Sequence, residues 1–250
     1  MKLLTLDIEM MPNTVHVWDL RNIHYVAPSQ VVEYAHFACA AYKFLNEPIQ
    51  FVYADRYMPE HGDAEGLGML WEAMNQADAI ITFNGKKFDI PRLNSAFKEA
   101  GFQAPSPYHQ IDLYLGLRKT FYWPSMKLDE ISKILLGDHK KEHEGHNLWV
   151  RCMAGDPEAW KIFREYCEQD VLLTEKLYLD TRGWLPNHPN SLLFDGPEGA
   201  VGIACTTCGS SDYQRRGERV FSTGVYARYR CNNCGAWFKE QKRLYGSSVR

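Results

Sequence analysis

The chain has 250 residues, 45% of them apolar and 24% charged, with a formal net charge of −3, which describes a soluble, globular chain with enough apolar mass for a packed core in one to two domains. No apolar stretch is long enough to span a bilayer, and Asp7 interrupts the N-terminal apolar run. Neither a membrane segment nor a signal peptide is expected, and a cytoplasmic location is expected by default.

The first element is Lys2-Leu3-Leu4-Thr5-Leu6-Asp7-Ile8-Glu9-Met10, a run that predicts a buried strand over residues 2–8. Side chains two apart on a strand share a face, so Asp7 and Glu9 project together from its end. Two carboxylates buried side by side are costly without a counter-charge, and a metal ion removes that cost. The alternative is a strand that is already ending, with both carboxylates solvated.

Further apolar runs predict strands at 14–19, 36–44 and 49–54, a helix at 64–75, and a strand at 79–83 that returns after the helical crossover. The short connections between the first strands imply an antiparallel meander. After the strand at 79–83 comes the turn-forming pair Asn84-Gly85, then a helix with Pro91 in its first turn. Asp89 falls at or near the cap of that helix. Capping alone explains an Asp there, but a cap requires neither the Asn-Gly turn nor Phe88.

Mostly helices follow to residue 182. Asp112, in Gln110-Ile111-Asp112-Leu113, is explained as the cap of the next helix. Residues 138–147 hold three His and three acids, with His139 and His143 four apart. Gly137 and Gly145 bracket the stretch, and its charge density reads as a solvated loop, not a further metal site. The run from Trp160 to Tyr178 has apolar positions at helical spacing and no Gly or Pro. On that helix Tyr166 and Asp170 are four apart and share a face.

Four of the seven cysteines form Cys205-x-x-Cys208 and Cys231-x-x-Cys234, a spacing that predicts one structural Zn²⁺ held by two knuckles, each followed by Gly (Gly209, Gly235). Two disulfides are the alternative, but nothing directs the chain to an oxidising compartment. Cys39, Cys152 and Cys167 lack partners at ligand spacing and read as packed thiols. Pro, Gly and Asn density marks 183–199 as a connector between a domain over 1–182 and one over 200–250, with Leu192, Leu193 and Phe194 suggesting that it docks instead of swinging freely.

Charge divides unevenly between the two parts. Residues 200–250 carry nine Lys or Arg against three acids, +6, whereas the remainder carries 28−9=19 against 31−3=28, or −9. Basic residues there alternate with aromatics: Arg215, Arg216 and Arg219, then Phe221 and Tyr226, then Arg228, Tyr229 and Arg230, then Trp237 and Lys239. Phosphate contacts with base stacking suit that composition; aromatics filling a small core around zinc, with arginines solvating it, is the alternative for part of the set.

Taken jointly, the segments around Asp7/Glu9, Phe83-Asn84-Gly85-Lys86-Lys87-Phe88-Asp89-Ile90-Pro91-Arg92-Leu93, and Tyr166/Asp170 resemble the three motifs of the DEDD superfamily of 3′-to-5′ exonucleases, a branch of the ribonuclease-H-like fold. Tyr166 marks the tyrosine subclass, and the second segment is similar to that of the exonuclease domain of family B DNA polymerases. The resemblance covers residues 1–182 and includes the helical segment 126–137. It implies an α/β fold, a ribonuclease-H-like mixed sheet flanked by helices, here joined to a small C-terminal zinc ribbon. It also implies two Mg²⁺ or Mn²⁺ ions ligated by Asp7, Glu9 and Asp170, with Asp7 bridging, Asp89 acting through metal-bound water, and Tyr166 orienting the attacking water.

The expected activity is hydrolysis of single-stranded DNA from 3′ ends, with the ribbon and Lys140 or Lys141 holding the strand near an acidic site. A replication or repair protein is a possible further partner. RNA processing and structure-selective DNA cleavage remain alternatives, since the same ions cut either backbone and the 2′-OH contacts are not legible. A binding module that lost its chemistry is disfavoured by the intact set of four carboxylates and a tyrosine.

Overall fold

A computed structural model describes residues 1–21, 23–53, 63–140, 144–194 and 202–246. Its main sheet is built on β1 (Leu3–Met11), which pairs antiparallel with β4 (His36–Phe44) and parallel with β6 (Ala79–Thr82). Outside these lie β5 (Gln50–Tyr53), antiparallel to β4, and β7 (His109–Asp112), parallel to β6. The order is β5-β4-β1-β6-β7, so the strand bearing Asp7 and Glu9 is central, as expected.

Alternation along β1 assigns its two faces. Leu4, Leu6 and Ile8 join a core with α1 (Asp63–Gln76) and α2 (Asp89–Glu99), through Leu70, Met74, Leu93 and Phe97. Leu3 faces the opposite way, toward α3 (Leu113–Thr120), α4 (Leu128–Leu136) and α6 (Pro157–Thr181). By the period of two, Thr5, Asp7 and Glu9 share that second face. The register shifts between Glu9 and Met10, an irregularity of the kind that re-aims side chains at a strand's end.

Small residues on β4 let α6 come close. Ala38 and Cys39 pack with Trp160 and Phe163 of α6 and with Leu148 and Cys152 of α5 (His146–Met153), while Ala41 meets Cys167 and Val171. Asp156 caps α6, accepting from the backbone N–H of Glu158 and Ala159, and Pro157 occupies its first turn. The helix runs 25 residues, about 37 Å at 1.5 Å per residue. Its buried stripe includes Phe163, Cys167, Val171 and Leu177, carries the hydroxyls of Thr174 and Thr181, and buries the charge-bearing Asp170, only 3% exposed. Among the described residues no helix is long and apolar enough to cross a membrane.

Two expected elements differ. The strand predicted at 14–19 is only β2 (Thr14–Val15), which pairs with β3 (Val31–Glu33) in a separate ribbon and takes no part in the meander; beyond it His16, Trp18 and Asp19 are exposed, Trp18 fully. Conversely, β7 lies where helix was expected. Its first two residues are exposed, so this edge strand has too little apolar periodicity to announce itself. The strand expected at 49–54 is present over Gln50–Tyr53, and residue 54 lies outside the described residues.

Residues 202–246 carry a second sheet in the order β10-β9-β8, made of β8 (Tyr213–Phe221), β9 (Gly224–Cys231) and β10 (Trp237–Tyr245). It has its own small core of Ala227, Tyr229, Ala236 and Phe238 beside the cysteines. The described part of the connector packs down. Leu185 joins the α3–α4–α6 core, and Thr120 Oγ1 donates to the Trp184 carbonyl at 3.2 Å. His188 Nδ1 donates to its neighbour's carbonyl while Nε2 accepts from the Tyr178 hydroxyl at 2.9 Å. Residues 195–199 of the connector lie outside the described residues.

The second cysteine knuckle abuts Gly183, where an added Cβ would stand 2.2 Å from the Cys234 carbonyl oxygen and 2.9 Å from the Ala236 nitrogen. Both obstacles are backbone and cannot rotate away. Gly183→Ala is expected to loosen this docking at a cost of about 1–3 kcal/mol, read as a lower thermal midpoint and faster proteolysis between residues 183 and 205.

Candidate active site and zinc centre

The four acids expected to act together converge. Asp7 sits half-buried at the middle of β1 and Glu9 two residues further along it, while Asp89 and Asp170 are each 3% exposed on α2 and α6. Burial, then the charges of Asp89, Asp170 and Glu9, hold the Asp7 carboxyl well above the usual carboxylate range. Burial and Asp170 push Glu9 up to about 8, and burial pushes Asp89 up to about 7 against the stabilising Ile8 N–H. Each anion makes its neighbours harder to ionise, and the set calls for cations.

Asp89 is the first residue of α2, one past the Phe88 cap position, and its carboxylate does not cap the helix. Instead Oδ1 accepts from the Ile8 N–H at 3.2 Å, tying α2 to β1 between Asp7 and Glu9. The turn before it is braced by Asp112, which caps α3 through the Leu115 N–H as expected and also accepts from the N–H groups of Asn84 and Lys86, both at 3.1 Å. Asn84 takes a positive φ of 68°, and Gly85 is required because a Cβ there would lie 2.4 Å from Thr82 Cβ. The Gly85 carbonyl then accepts from Ile90 N–H, setting where α2 begins. Asp112 is thus a positioning residue for Asp89, a role for which the sequence offered only the cap signal.

Tyr166 and Asp170 share the face of α6 that meets β1. Burial and the Asp170 charge hold the Tyr166 phenol above the usual tyrosine range. Between them reaches Lys140, from the loop after α4. Gly137 in a left-handed conformation, φ 64°, ends α4, and the Lys140 N–H donates to Asp129 at 2.9 Å. Its ammonium donates to the Tyr166 hydroxyl at 3.1 Å and to Asp170 Oδ2. Burial opposes that charge, but Asp170 and Tyr166 keep the Lys140 pKa above the usual lysine range. Lys140, expected to grip substrate, therefore ends inside the carboxylate cluster; Lys141, Glu142 and His143 lie outside the described residues.

Behind the cluster, the Cys167 thiol donates to the Asp7 carbonyl at 3.7 Å; it, Cys39 and Cys152 are buried thiols, as expected. His139 is exposed and Asp138 pairs with Lys176, so the described part of the histidine-rich stretch behaves as a surface loop.

Among the described residues, the group whose His, Cys, Asp or Glu ligand atoms all lie within 4.8 Å of one another is Cys205, Cys208, Cys231 and Cys234. Cys205–Cys234 and Cys208–Cys231 sulfur separations are both 3.6 Å, close to the roughly 3.8 Å edge of a tetrahedron with Zn–S near 2.3 Å. The two knuckles repeat one turn: Gly209 N–H donates to the Cys205 carbonyl and Gly235 N–H to the Cys231 carbonyl, with φ of 73° and 72°. The cluster fits a small zinc site. The carboxylates are more widely spread than this single-ion measure.

A family model of the RNase_H superfamily matches residues 35–181, more than half of the chain. The chain belongs to the RNase_H superfamily. A search of curated proteins returns no match. The matched stretch contains Asp89, Tyr166 and Asp170 and begins after Asp7 and Glu9, but β1 pairs with β4 and β6 inside it, so the fold completes the set. Membership implies nucleic-acid binding and a nuclease that uses divalent metal ions.

Two outcomes test this geometry. Asp112→Ala leaves three backbone N–H groups short of an acceptor and should lower stability by about 2–4 kcal/mol, with weakened divalent-ion binding through displaced Asp89. Purified protein should contain about one zinc per chain by elemental analysis, and Cys208→Ser should remove it and expose the Tyr229–Phe238 core to proteolysis while residues 1–182 stay folded.

Proposed function

We propose that this RNase_H-superfamily chain is a 3′-to-5′ exonuclease of the DEDD tyrosine subclass that trims single-stranded DNA ends with a pair of Mg²⁺ or Mn²⁺ ions. The observation that carries the reading is the meeting of Asp7, Glu9, Asp89 and Asp170 with the Tyr166 hydroxyl and the Lys140 ammonium in one buried cluster. An all-oxygen donor set suits hard divalent ions over zinc. The raised carboxyl pKa values mark a site that remains uncomfortable until cations arrive, so these residues fit the ions the family uses.

Asp7, Glu9 and Asp170 would hold the ions, with Asp89 acting through bound water. When bound, paired divalent ions offset the charge that phosphodiester cleavage develops on the attacking, leaving and non-bridging oxygens. The chain's own groups do the positioning. Tyr166, its phenol held protonated across neutrality, donates or accepts a hydrogen bond to orient water without serving as its base. Lys140 supplies a fixed positive charge beside that hydroxyl for a phosphate oxygen of the strand. The ribbon, net basic over residues 200–250, holds substrate that the acidic cluster alone would repel.

End-labelled DNA and RNA, single-stranded, duplex and branched, incubated with the purified protein and Mg²⁺ or Mn²⁺ test the reading directly. Mononucleotides should appear from single-stranded DNA 3′ ends; a discrete internal cut, or preference for RNA, overturns the specific assignment. Asp7→Ala should abolish cleavage yet leave the thermal midpoint equal or higher, because it removes a buried repelling charge. Tyr166→Phe should lower kcat about ten- to hundredfold, as expected for loss of orientation. Full metal-dependent activity in Asp7→Ala would sink the site.

A further inference from the structure

The second sheet separates its side chains by period. In β9, Val225, Ala227, Tyr229 and Cys231 turn inward and are buried, leaving Tyr226, Arg228 and Arg230 on the outward face. Across the ladder Lys239 stands opposite Arg228, Trp237 opposite Arg230, and Arg219 opposite Tyr226, and directly opposed residues point the same way. The aromatic list read from sequence therefore divides: Tyr229 belongs to the core, whereas Tyr226 and Trp237 belong to the face.

The outward face holds cations without neighbouring carboxylates. Of the three acids among residues 202–246, Asp212 binds Asn232 in a loop, Glu240 accepts from the core residue Tyr229, and Glu218 stands opposite inward-facing Ala227. The cations rest instead on rings: the Arg228 guanidinium lies 4.8 Å from the Trp237 ring centre, Lys239 4.0 Å from Tyr226, and Arg219 4.8 Å from Phe221. Like charges opposed across strands repel, and rings offset this only in part. A ligand with regularly spaced anions supplies the missing counter-charge. Trp237, half exposed on this face, also offers a ring face that a base can stack on only when it is unpaired.

We infer that the outward face of β8–β9–β10 is a binding platform for an unpaired nucleic-acid strand, with bases stacked on Trp237 and Tyr226 and phosphates held by Arg228, Arg230 and Lys239. It deepens the nuclease reading and rests on it for the strand being the substrate. An acidic polypeptide would satisfy the cations but leave the rings unused. The ribbon docks at Gly183, thirteen residues beyond Asp170, which is about 20 Å along the helix axis. A strand that touches both platform and carboxylates must therefore span several nucleotides, and very short strands reach one only.

Fluorescence anisotropy with labelled dT4 and dT20, a 20-base-pair duplex and polyglutamate, in buffer without added Mg²⁺, tests the platform on the full chain. We expect dT20 to bind far more tightly than dT4, duplex or polyglutamate. Trp237→Ala should weaken dT20 about tenfold, within the range for one stacked base, and Trp237→Phe should recover most of the loss. Arg230→Gln with Lys239→Gln should flatten the log Kd against log salt slope by about 1.4, two contacts at about 0.7 each.

Unaltered dT20 affinity in these variants, at full zinc content, overturns the inference. So does equal binding of polyglutamate, or of duplex with Trp237→Ala neutral. If the variants behave as expected but no substrate is ever cut, the platform stands and the nuclease reading fails; if dT20 is trimmed normally by all variants, the reverse holds.

Discussion

Mutual repulsion among buried carboxylates is the constraint on which the rest of this structure depends. Asp7 and Glu9 are fixed by the strand period, Asp89 by its bond to the Ile8 amide, and Asp170 by its place on the buried, mostly apolar stripe of α6. Burial and mutual charge raise the pKa of Asp7 and Glu9, and burial that of Asp89, so the arrangement opposes folding at neutral pH in the absence of cations. Apolar packing on both faces of β1 must outweigh it. The close seat of α6 against Ala38, Cys39 and Ala41 and the Leu4–Leu6–Ile8 core on the other side are the parts of the fold that do so.

Lys140 relieves part of that repulsion from within the chain. Its ammonium meets Asp170 and Tyr166, placing a cation where the family chemistry demands positive charge. It comes from a loop whose path is set by the Gly137 turn and the bond to Asp129, so the charge is delivered by backbone geometry and not by a long helix face. A basic residue at this place offsets part of the cluster's negative charge.

How much of this was legible follows from the range of each signal. Asp7 with Glu9, Tyr166 with Asp170, and the paired cysteine knuckles are short-range patterns, two, four and three residues apart, and local periodicity places such groups together. Convergence of the three segments was reachable only through resemblance, because no local rule says which distant strand meets which helix. Asp112 showed its cap and hid its brace on the Asn84–Lys86 turn, since that contact crosses 28 residues. Strand β7 was missed because an exposed edge has no apolar alternation, and 14–19 was overread because Val15 and Val17 alternate without the main sheet to receive them.

The same short-range logic explains why charge had to be split before it meant anything. A net charge of −3 conceals −9 on residues 1–199 and +6 beyond them, and the structure sharpens that division: Asp7, Glu9, Asp89 and Asp170 of the first part meet in one cluster, while Arg228, Arg230 and Lys239 of the second share one outward sheet face. A freely swinging basic module would raise local strand concentration in every direction. Docked through Gly183 and through the bonds of Ser191 to the Thr206 carbonyl, it presents its cations at a set distance from the acids, and on the function proposed above that fixed offset, and not attraction alone, would determine which phosphodiester of a bound strand lies at the cluster.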